Sequence, residues 1–444
     1  MGGYPAAIRA SQLGLKVALV EGGKLGGTCL HVGCIPTKAL LESSELYHRV
    51  AARGAEFGIK AEVVGYDYPR IAERRDAIVG QLYKGVQYLM KKNKIEVVQA
   101  RGRIRDRNTI EADGKMVRAK NLVVATGSTV KSLPGITLDG ELIVSSDNAV
   151  VAKSVPESIC IIGAGAVGVE FATLYNQLGT KVTLLEALDR LVPLEDEDVS
   201  KEMMSAFKKA GIDARAGVKV AGAKKARGGV SVETDQGEVW ANQLLVAVGR
   251  AAVSKDLGLE QAGVQTDQRG FIKVDEWMRT TADGIHAIGD VVGGYLLAHA
   301  AAHEGMTAVE DIAGQRVAPM EQDLVTRCTY SHPQIASVGL TEKQARERGH
   351  EVKVGKFPFS AIGRAQTHGE TAGFVKMIAD AKTGQLLGTH IVGDSATELI
   401  AEPALTQLFQ GDAWEVGRNI HPHPTLSEAV MEAAMAVDGR AIHF

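Results

Sequence analysis

The chain has 444 residues, 45% of them hydrophobic, a globular composition too long for one ordinary domain; the length suggests two to four. Fifty basic against 53 acidic residues leave a formal net charge of −3, which offers no general attraction to nucleic acid or a membrane surface, and no apolar run reaches membrane-spanning length. Nothing at the N-terminus reads as a signal peptide, and four cysteines are too few for a secreted disulfide scaffold of this size, so a reducing, cytoplasmic location is expected.

In chain order, Gly2-Gly3-Tyr4-Pro5-Ala6-Ala7-Ile8-Arg9-Ala10 looks like the last two positions of a Gly-x-Gly-x-x-Gly nucleotide turn and the helix behind it; the strand and glycines expected before them are missing. Lys16-Val17-Ala18-Leu19-Val20-Glu21 reads as the next strand and ends in an acidic residue able to hold a ribose hydroxyl. Then comes Gly26-Gly27-Thr28-Cys29-Leu30-His31-Val32-Gly33-Cys34-Ile35-Pro36-Thr37-Lys38. In a regular helix residues five apart rise roughly 7.5 Å, beyond easy disulfide reach, so the segment between Cys29 and Cys34 is not plain helix. Gly33 lets the backbone bend, and Pro36 suits the first turn of a helix running on through Lys38 to Leu41. That helix start and Lys38, one turn on, would favour a thiolate at Cys34. Ser43 to Lys92 reads mainly as helices, and strands return at Ile95–Val98 and Asn121–Ser128, the latter an apolar run into Ala125-Thr126-Gly127.

A second nucleotide unit is complete. Ser158–Ile162 is a buried strand, Gly163-Ala164-Gly165-Ala166-Val167-Gly168 the glycine turn, Val169–Leu178 the helix, and Lys181–Glu186 the next strand. Glu186 accepts from a free ribose hydroxyl and repels a phosphate there, and Ala187 and Leu188 supply no arginine, so NAD is favoured over NADP. Leu244–Val248 with Gly249 and Arg250 closes this unit. Thr280 to Asp290 reads as a strand ending in Gly289-Asp290, Tyr295–Asp311 as a helix, and from about Leu324 the pattern becomes strands such as Lys353–Phe357 and Phe374–Ile378, with helices near Ala396–Gln410 and Glu428–Val437. Cys160 and Cys328 read as ordinary core thiols.

His421-Pro422-His423-Pro424-Thr425-Leu426-Ser427-Glu428 admits two readings. In one, Thr425 and Glu428 form a capping box and His423 merely packs. In the other, His423 takes a proton from a thiol while Glu428 holds the imidazole in the useful tautomer.

Gly-Gly-Thr-Cys-x-x-x-x-Cys-Ile-Pro-x-Lys resembles the redox disulfide of the flavin-dependent pyridine nucleotide-disulfide oxidoreductases, and the resemblance runs through nearly the whole chain. It implies an α/β fold of two Rossmann-like dinucleotide-binding domains, for FAD and NAD, with a C-terminal α+β dimerisation domain. The expected divisions are 1–128 and 251–321 for FAD, 129–250 for NAD, and 322–444 for dimerisation. Relative to the family the start reads as truncated or mis-assigned, which puts flavin affinity in question. The resemblance makes Cys29 and Cys34 the redox disulfide, with His423 and Glu428 its acid-base pair reaching the disulfide of the other subunit of a homodimer. It assigns Glu21, Gly27, Thr28, Lys38, Ala125, Thr126, Gly127, Asp290, Leu297, Ala298 and His299 to FAD. Gly163, Gly165, Gly168, Glu186 and Gly249 go to NAD, and Glu170, paired with Lys38, to the flavin edge. The details are similar to members that oxidise dihydrolipoamide, carried on the lipoyl domains of a 2-oxoacid dehydrogenase E2 or a glycine cleavage H protein. Glutathione reductase-like enzymes would want basic residues after Glu186, and mercuric reductase-like ones a C-terminal cysteine pair that Ala441–Phe444 lacks. A flavin-free remnant that keeps only the dimer is the reading from another class.

Overall fold

The computed structural model describes residues 1–60, 62 and 65–444; Ala61, Val63 and Val64, part of the stretch expected to be mainly helical, lie outside the described residues. The first helices are α1 (Gly3–Gln12), α2 (Gly27–His31), α3 (Cys34–Arg53) and α4 (Tyr68–Lys92). The start of α4 is written locally: the Asp67 carboxylate accepts from the N–H of Arg70, and Pro69 occupies the first turn, where its missing N–H costs nothing. Parallel pairing joins Ala18–Glu21 to Glu96–Gln99 and Leu122–Val124 to Ile285–Ala287, and an antiparallel sheet of Gly102–Asp106, Thr109–Ala112 and Lys115–Arg118 stands beside them.

The next unit is centred on a five-stranded parallel sheet ordered Asp213–Arg215, Lys181–Leu185, Ser158–Ile162, Gln243–Val246, Ile143–Ser145. α5 (Ser146–Ala149), α6 (Ala166–Gln177) and α7 (Glu197–Lys209) belong to it. One face buries Cys160, Ile162, Leu185 and Leu244 with Val230, Val232 and Val239 of the antiparallel strands Gly229–Thr234 and Gly237–Ala241. The expected helix from Val169 begins earlier, at Ala166, because the last glycine of the turn is already helical.

An antiparallel ribbon, Ser128–Val130 with Arg250–Ala252, carries the chain into and out of this unit. The single strand expected over Asn121–Ser128 is therefore two, broken at Gly127, whose φ is +73°. α8 (Ala298–Ile312) packs on α1, with Arg9 bonded to Glu310 at 2.7 Å. It starts three residues later than expected because Leu296 turns left-handed at φ +54° and Leu297 is extended.

The C-terminal layer is a five-stranded antiparallel sheet ordered Arg327–Thr329, Gln334–Gly339, Leu386–Gly393, Phe374–Asp380, Val352–Pro358. With it go α9 (Glu342–Glu347), α10 (Gly363–His368), α11 (Ala396–Leu399), α12 (Ala401–Leu408), α13 (Ala413–Gly417) and α14 (Glu428–Ala436).

These parts share a core. Leu40 and Leu41 of α3 lie in one buried cluster with Phe171 and Tyr175 of α6 and Phe374 and Val392 of the antiparallel sheet. Beside it runs a seam of buried charge: Lys376 Nζ meets Asp196 at 2.9 Å, Asp198 at 3.1 Å and Glu342 at 2.9 Å, and Arg327 meets Glu195 at 3.3 Å. Burial alone would push the Lys376 ammonium down, but its hydrogen bonds to these carboxylates outweigh that and hold it above the ordinary lysine value. Lys376→Met leaves the buried Asp196 without its cation, while Asp198 keeps Lys356 at 3.4 Å and Glu342 keeps Arg346 at 2.9 Å, and is expected to lower unfolding stability by about 3–5 kcal/mol in urea titration; a loss under about 1 kcal/mol would mean the seam is solvated.

Candidate redox and nucleotide-binding site

Cys29 and Cys34 form a disulfide with their Cα atoms 4.6 Å apart. Both lie on helices, Cys29 in α2 and Cys34 at the first residue of α3, and the break falls at Val32 and Gly33. Gly33 is required by close approach: a Cβ there would stand 2.9 Å from the Thr28 carbonyl oxygen and 3.1 Å from the Cys29 Cα. Thr37 donates to the Gly33 carbonyl at 2.6 Å and ties down the bend.

One turn into α3, Lys38 Nζ donates to both Glu170 oxygens, at 2.9 and 2.8 Å. Its charge is thus committed to Glu170, across the seam between α3 and α6. Glu170, 5% exposed, also accepts the Tyr330 N–H at 2.8 Å, and Lys38 sits 4.6 Å over the Tyr330 ring.

Thr28, ahead of Cys29, receives Arg250 Nη2 at 3.4 Å. Arg250 also donates to Ser128 Oγ at 2.7 Å and Asp147 at 3.2 Å, and Ser128 Oγ donates to Asp290. One guanidinium thus joins the disulfide's helix, the connecting ribbon and the residue assigned to the flavin. Around this point stand the other expected flavin residues. Ala125 and Thr126 are exposed at a strand end, Gly127 has open space where a side chain would be, and among the described residues the Glu21 carboxylate accepts only the N–H of Gly23, at 2.7 Å. Leu297, Ala298 and His299 open α8, with His299 Nε2 on the Thr326 carbonyl at 2.8 Å. Gly27, at the start of α2, completes the set. Carboxylates with spare lone pairs, a helix start and a bare backbone suit a dinucleotide such as FAD.

The complete glycine turn fits its nucleotide in the same way. A Cβ on Gly168 would fall 1.8 Å from the Gly163 carbonyl oxygen, so that glycine packs helix on strand, whereas Gly165 meets nothing within 4 Å and leaves its backbone open to a pyrophosphate. Glu186, 9% exposed, accepts Ala164 N at 2.7 Å and Leu188 N at 2.9 Å and keeps lone pairs for a ribose. Gly249, φ +98°, also faces open space.

At the other end of the chain, His423 Nδ1 meets Glu428 Oε1 at 2.9 Å, and Glu428 Oε2 accepts the Thr425 N–H at 2.9 Å. Of the capping box that the spacing admits, only the glutamate half forms, with Glu428 accepting the Thr425 N–H; Ser427 is the N-cap of α14, and the Thr425 hydroxyl donates to the Pro422 carbonyl. Glu428 therefore serves the loop and the imidazole together. Burial pushes its carboxyl up, but the hydrogen bonds from His423 and Thr425 outweigh it and leave it below the ordinary glutamate value. The imidazole is 78% exposed, and among the described residues no hydrogen bond within the chain joins it to Cys29 or Cys34. His421, by contrast, has both nitrogens on acceptors, Glu402 at 3.0 Å and the Asn419 carbonyl at 3.1 Å; these raise its proton affinity, Glu402 the more.

Ser128, Asp147, Tyr330 and Glu402 were not singled out from the sequence. They are common polar types without a motif, and only the fold brings them to the site. Cys160 is buried in its strand, its thiol pushed up to about 12 by burial, and Cys328 is half-buried, pushed up to about 11 the same way; neither is paired.

A family model described as pyridine nucleotide-disulphide oxidoreductase matches residues 1–305, and that family's dimerisation domain matches residues 325–434. Curated proteins similar to this chain include a dihydrolipoyl dehydrogenase of Bacillus subtilis, 46% identical over all of the chain and 97% of that protein. Another is a mitochondrial dihydrolipoyl dehydrogenase of Pisum sativum, 40% identical over all of the chain and 90% of that protein. Among solved structures, LpdA of Mycobacterium tuberculosis aligns with a TM-score of 0.91 at 26% identity, covering 98% of this chain and 96% of that one. The HOCl-induced flavoprotein disulfide reductase RclA of Escherichia coli aligns at 0.86 and 27% identity, covering 97% and 96%.

Gly165→Val is expected to leave the melting temperature within about 2 °C while weakening NAD binding at least tenfold in calorimetric titration, and Gly168→Ala to destabilise the fold. Equal NAD affinity in Gly165→Val would remove the turn from the nucleotide site. A second expectation concerns Glu304 on α8, 4% exposed, which accepts the Gly289 N–H at 2.6 Å beside Asp290; burial pushes its carboxyl up to about 7. The folded chain then holds this proton to higher pH than the unfolded chain, so stability falls as pH rises from near 4.5 through 7. Glu304→Gln should be more stable than wild type at pH 8, by up to about 3 kcal/mol, with the gap closing toward pH 5.

Proposed function

The chain belongs to the pyridine nucleotide-disulphide oxidoreductase family, and within it we propose that the chain oxidises dihydrolipoamide to lipoamide with reduction of NAD to NADH and release of one proton. It is a flavoprotein oxidoreductase of the dihydrolipoyl dehydrogenase kind, using FAD and NAD, and carries the family's dimerisation domain. The observation that carries the proposal is the presence in one chain of a disulfide at the head of α3 and a histidine whose second nitrogen has no hydrogen-bond partner among the described residues.

His423, with Nδ1 held by Glu428, takes the proton of one substrate thiol at Nε2. The thiolate attacks Cys29 Sγ, the Cys29–Cys34 bond breaks, and Cys34 leaves as a thiolate at the N-terminus of α3, where the helix start favours negative charge. The second substrate thiol then displaces Cys29: His423 gives its proton to the departing Cys29 Sγ and takes that of the second thiol, so the lipoamide disulfide closes, Cys29 ends as a thiol and Cys34 as a thiolate. The electron pair now rests on the two reduced cysteines. FAD, when bound, supplies two-electron transfer from this dithiol to NAD. Lys38 is held one turn beyond Cys34 by Glu170 and the Tyr330 ring.

Among the described residues no hydrogen bond of the chain links His423 to the disulfide, and the reading places the two on different subunits of a homodimer, each active site completed by the partner, in keeping with the family's dimerisation domain. The substrate would arrive on the lipoyl domain of a 2-oxoacid dehydrogenase E2 or a glycine cleavage H protein, in the cytoplasm. No described helix is long and apolar enough to cross a membrane.

His423→Gln tests the reading. Dihydrolipoamide oxidation should fall roughly 100- to 10,000-fold with flavin content by visible absorbance unchanged. A variant that keeps more than a third of the wild-type rate would remove His423 from the chemistry.

A further inference from the structure

The His423–Glu428 pair has a twin. Glu432 follows Glu428 by four residues in α14, so the two carboxylates stand one turn apart on the same face. His443 Nδ1 meets Glu432 Oε1 at 2.6 Å, and the other Glu432 oxygen accepts the Ile442 N–H at 2.8 Å. The first pair is built alike, with His423 on one Glu428 oxygen and the Thr425 N–H on the other. In both, the imidazole is mostly exposed, 78% for His423 and 66% for His443, and among the described residues neither Nε2 has a hydrogen-bond partner.

We propose that His443 and Glu432 are a positioning pair that sets the proton affinity of His423. The inference rests on His423 being the base. Glu432 is 1% exposed, so its charge is poorly screened along α14. With His443 neutral, the pair carries one negative charge and favours protonation of His423. When His443 takes a proton the pair becomes neutral, and that pull on His423 disappears. As pH falls, His443 thus keeps His423 free to act as a base. The second pair lies near enough that the His443 charge bears on Glu428, where burial pushes the carboxyl up and the hydrogen bonds of His423 and Thr425, with the charges of His423 and His443, bring it down.

The other charged groups at this end are tied elsewhere. His421 is bonded to Glu402 of α12, Asp438 to Lys353 of the outer sheet strand at 2.8 Å, and Arg440 is stacked on Trp414 of α13 at 4.7 Å. Phe444 packs against Phe357 and seats the tail that carries His443.

His443→Asn keeps an N–H for Glu432 but cannot carry the proton. In this holoenzyme variant the acid limb of kcat/KM for dihydrolipoamide, and the pH midpoint for acylation of His423 by diethyl pyrocarbonate followed by peptide mass, should both move up by roughly half a pH unit. Glu432→Gln, which removes the charge itself, should move both down. Wild-type midpoints in both variants would overturn the proposal. Full dihydrolipoamide oxidation by His423→Gln would instead overturn the assignment of His423, a separate outcome.

Discussion

The contact between α3 and α6 is the constraint on which the rest of this molecule depends. α3 begins with Cys34, and α6 is the helix behind the glycine turn of the complete nucleotide unit. Three kinds of contact hold them: Leu40 and Leu41 in the core shared with Phe171 and Tyr175, Lys38 on Glu170, and Ser44 Oγ on Gln177 at 2.7 Å. A helix advances a fixed 1.5 Å per residue, so fixing residues 38–44 also fixes the first turn and its sulfur. The disulfide and the nucleotide turn are thereby held in one frame, although about 130 residues separate them.

Charge does the aligning, and burial makes it strict. Leucine against phenylalanine tolerates sliding, since burial energy has no direction. An ammonium among three carboxylates, or a guanidinium on one, tolerates little, because an unpaired charge in the interior costs several kcal/mol. Lys376 and Arg327 therefore set how the antiparallel layer meets the nucleotide unit, and Tyr330, on that layer, reaches Glu170 and Lys38. The layer that presents His423 is thus referenced to the helix that presents Cys34.

Much of this was legible in the sequence because the signals were local. Strand, Gly163 to Gly168, helix and Glu186 form one continuous piece of chain, and the two cysteines with Gly33 and Pro36 fit only a bent entry into a helix. Errors came where short-range pattern had equal claims. Asn121–Ser128 is apolar enough for one strand, yet Gly127 breaks it so that Ser128 can face Asp290. Thr425 and Glu428 admit by spacing both a cap and a proton-handling pair, and only the fold shows Glu428 bonded to the Thr425 N–H and to His423 at once. Tyr295–Leu297 fit a helix by composition, but Leu296 adopts a positive φ that only the neighbouring fold selects.

By itself, then, the sequence determined the kinds of unit present and the pair of cysteines, and it singled out Glu186 as the candidate for choosing NAD and His423 with Glu428 as the candidates for handling protons. These rest on residues within about twenty positions of one another, where backbone geometry alone fixes what faces what. Only the tertiary structure decided that Arg250 joins Thr28 to Ser128 and Asp147, that Tyr330 closes over Lys38, and that Glu432 holds His443 beside the first pair. Those contacts lie between distant segments and use common residue types, so no spacing announces them until packing has brought the segments together.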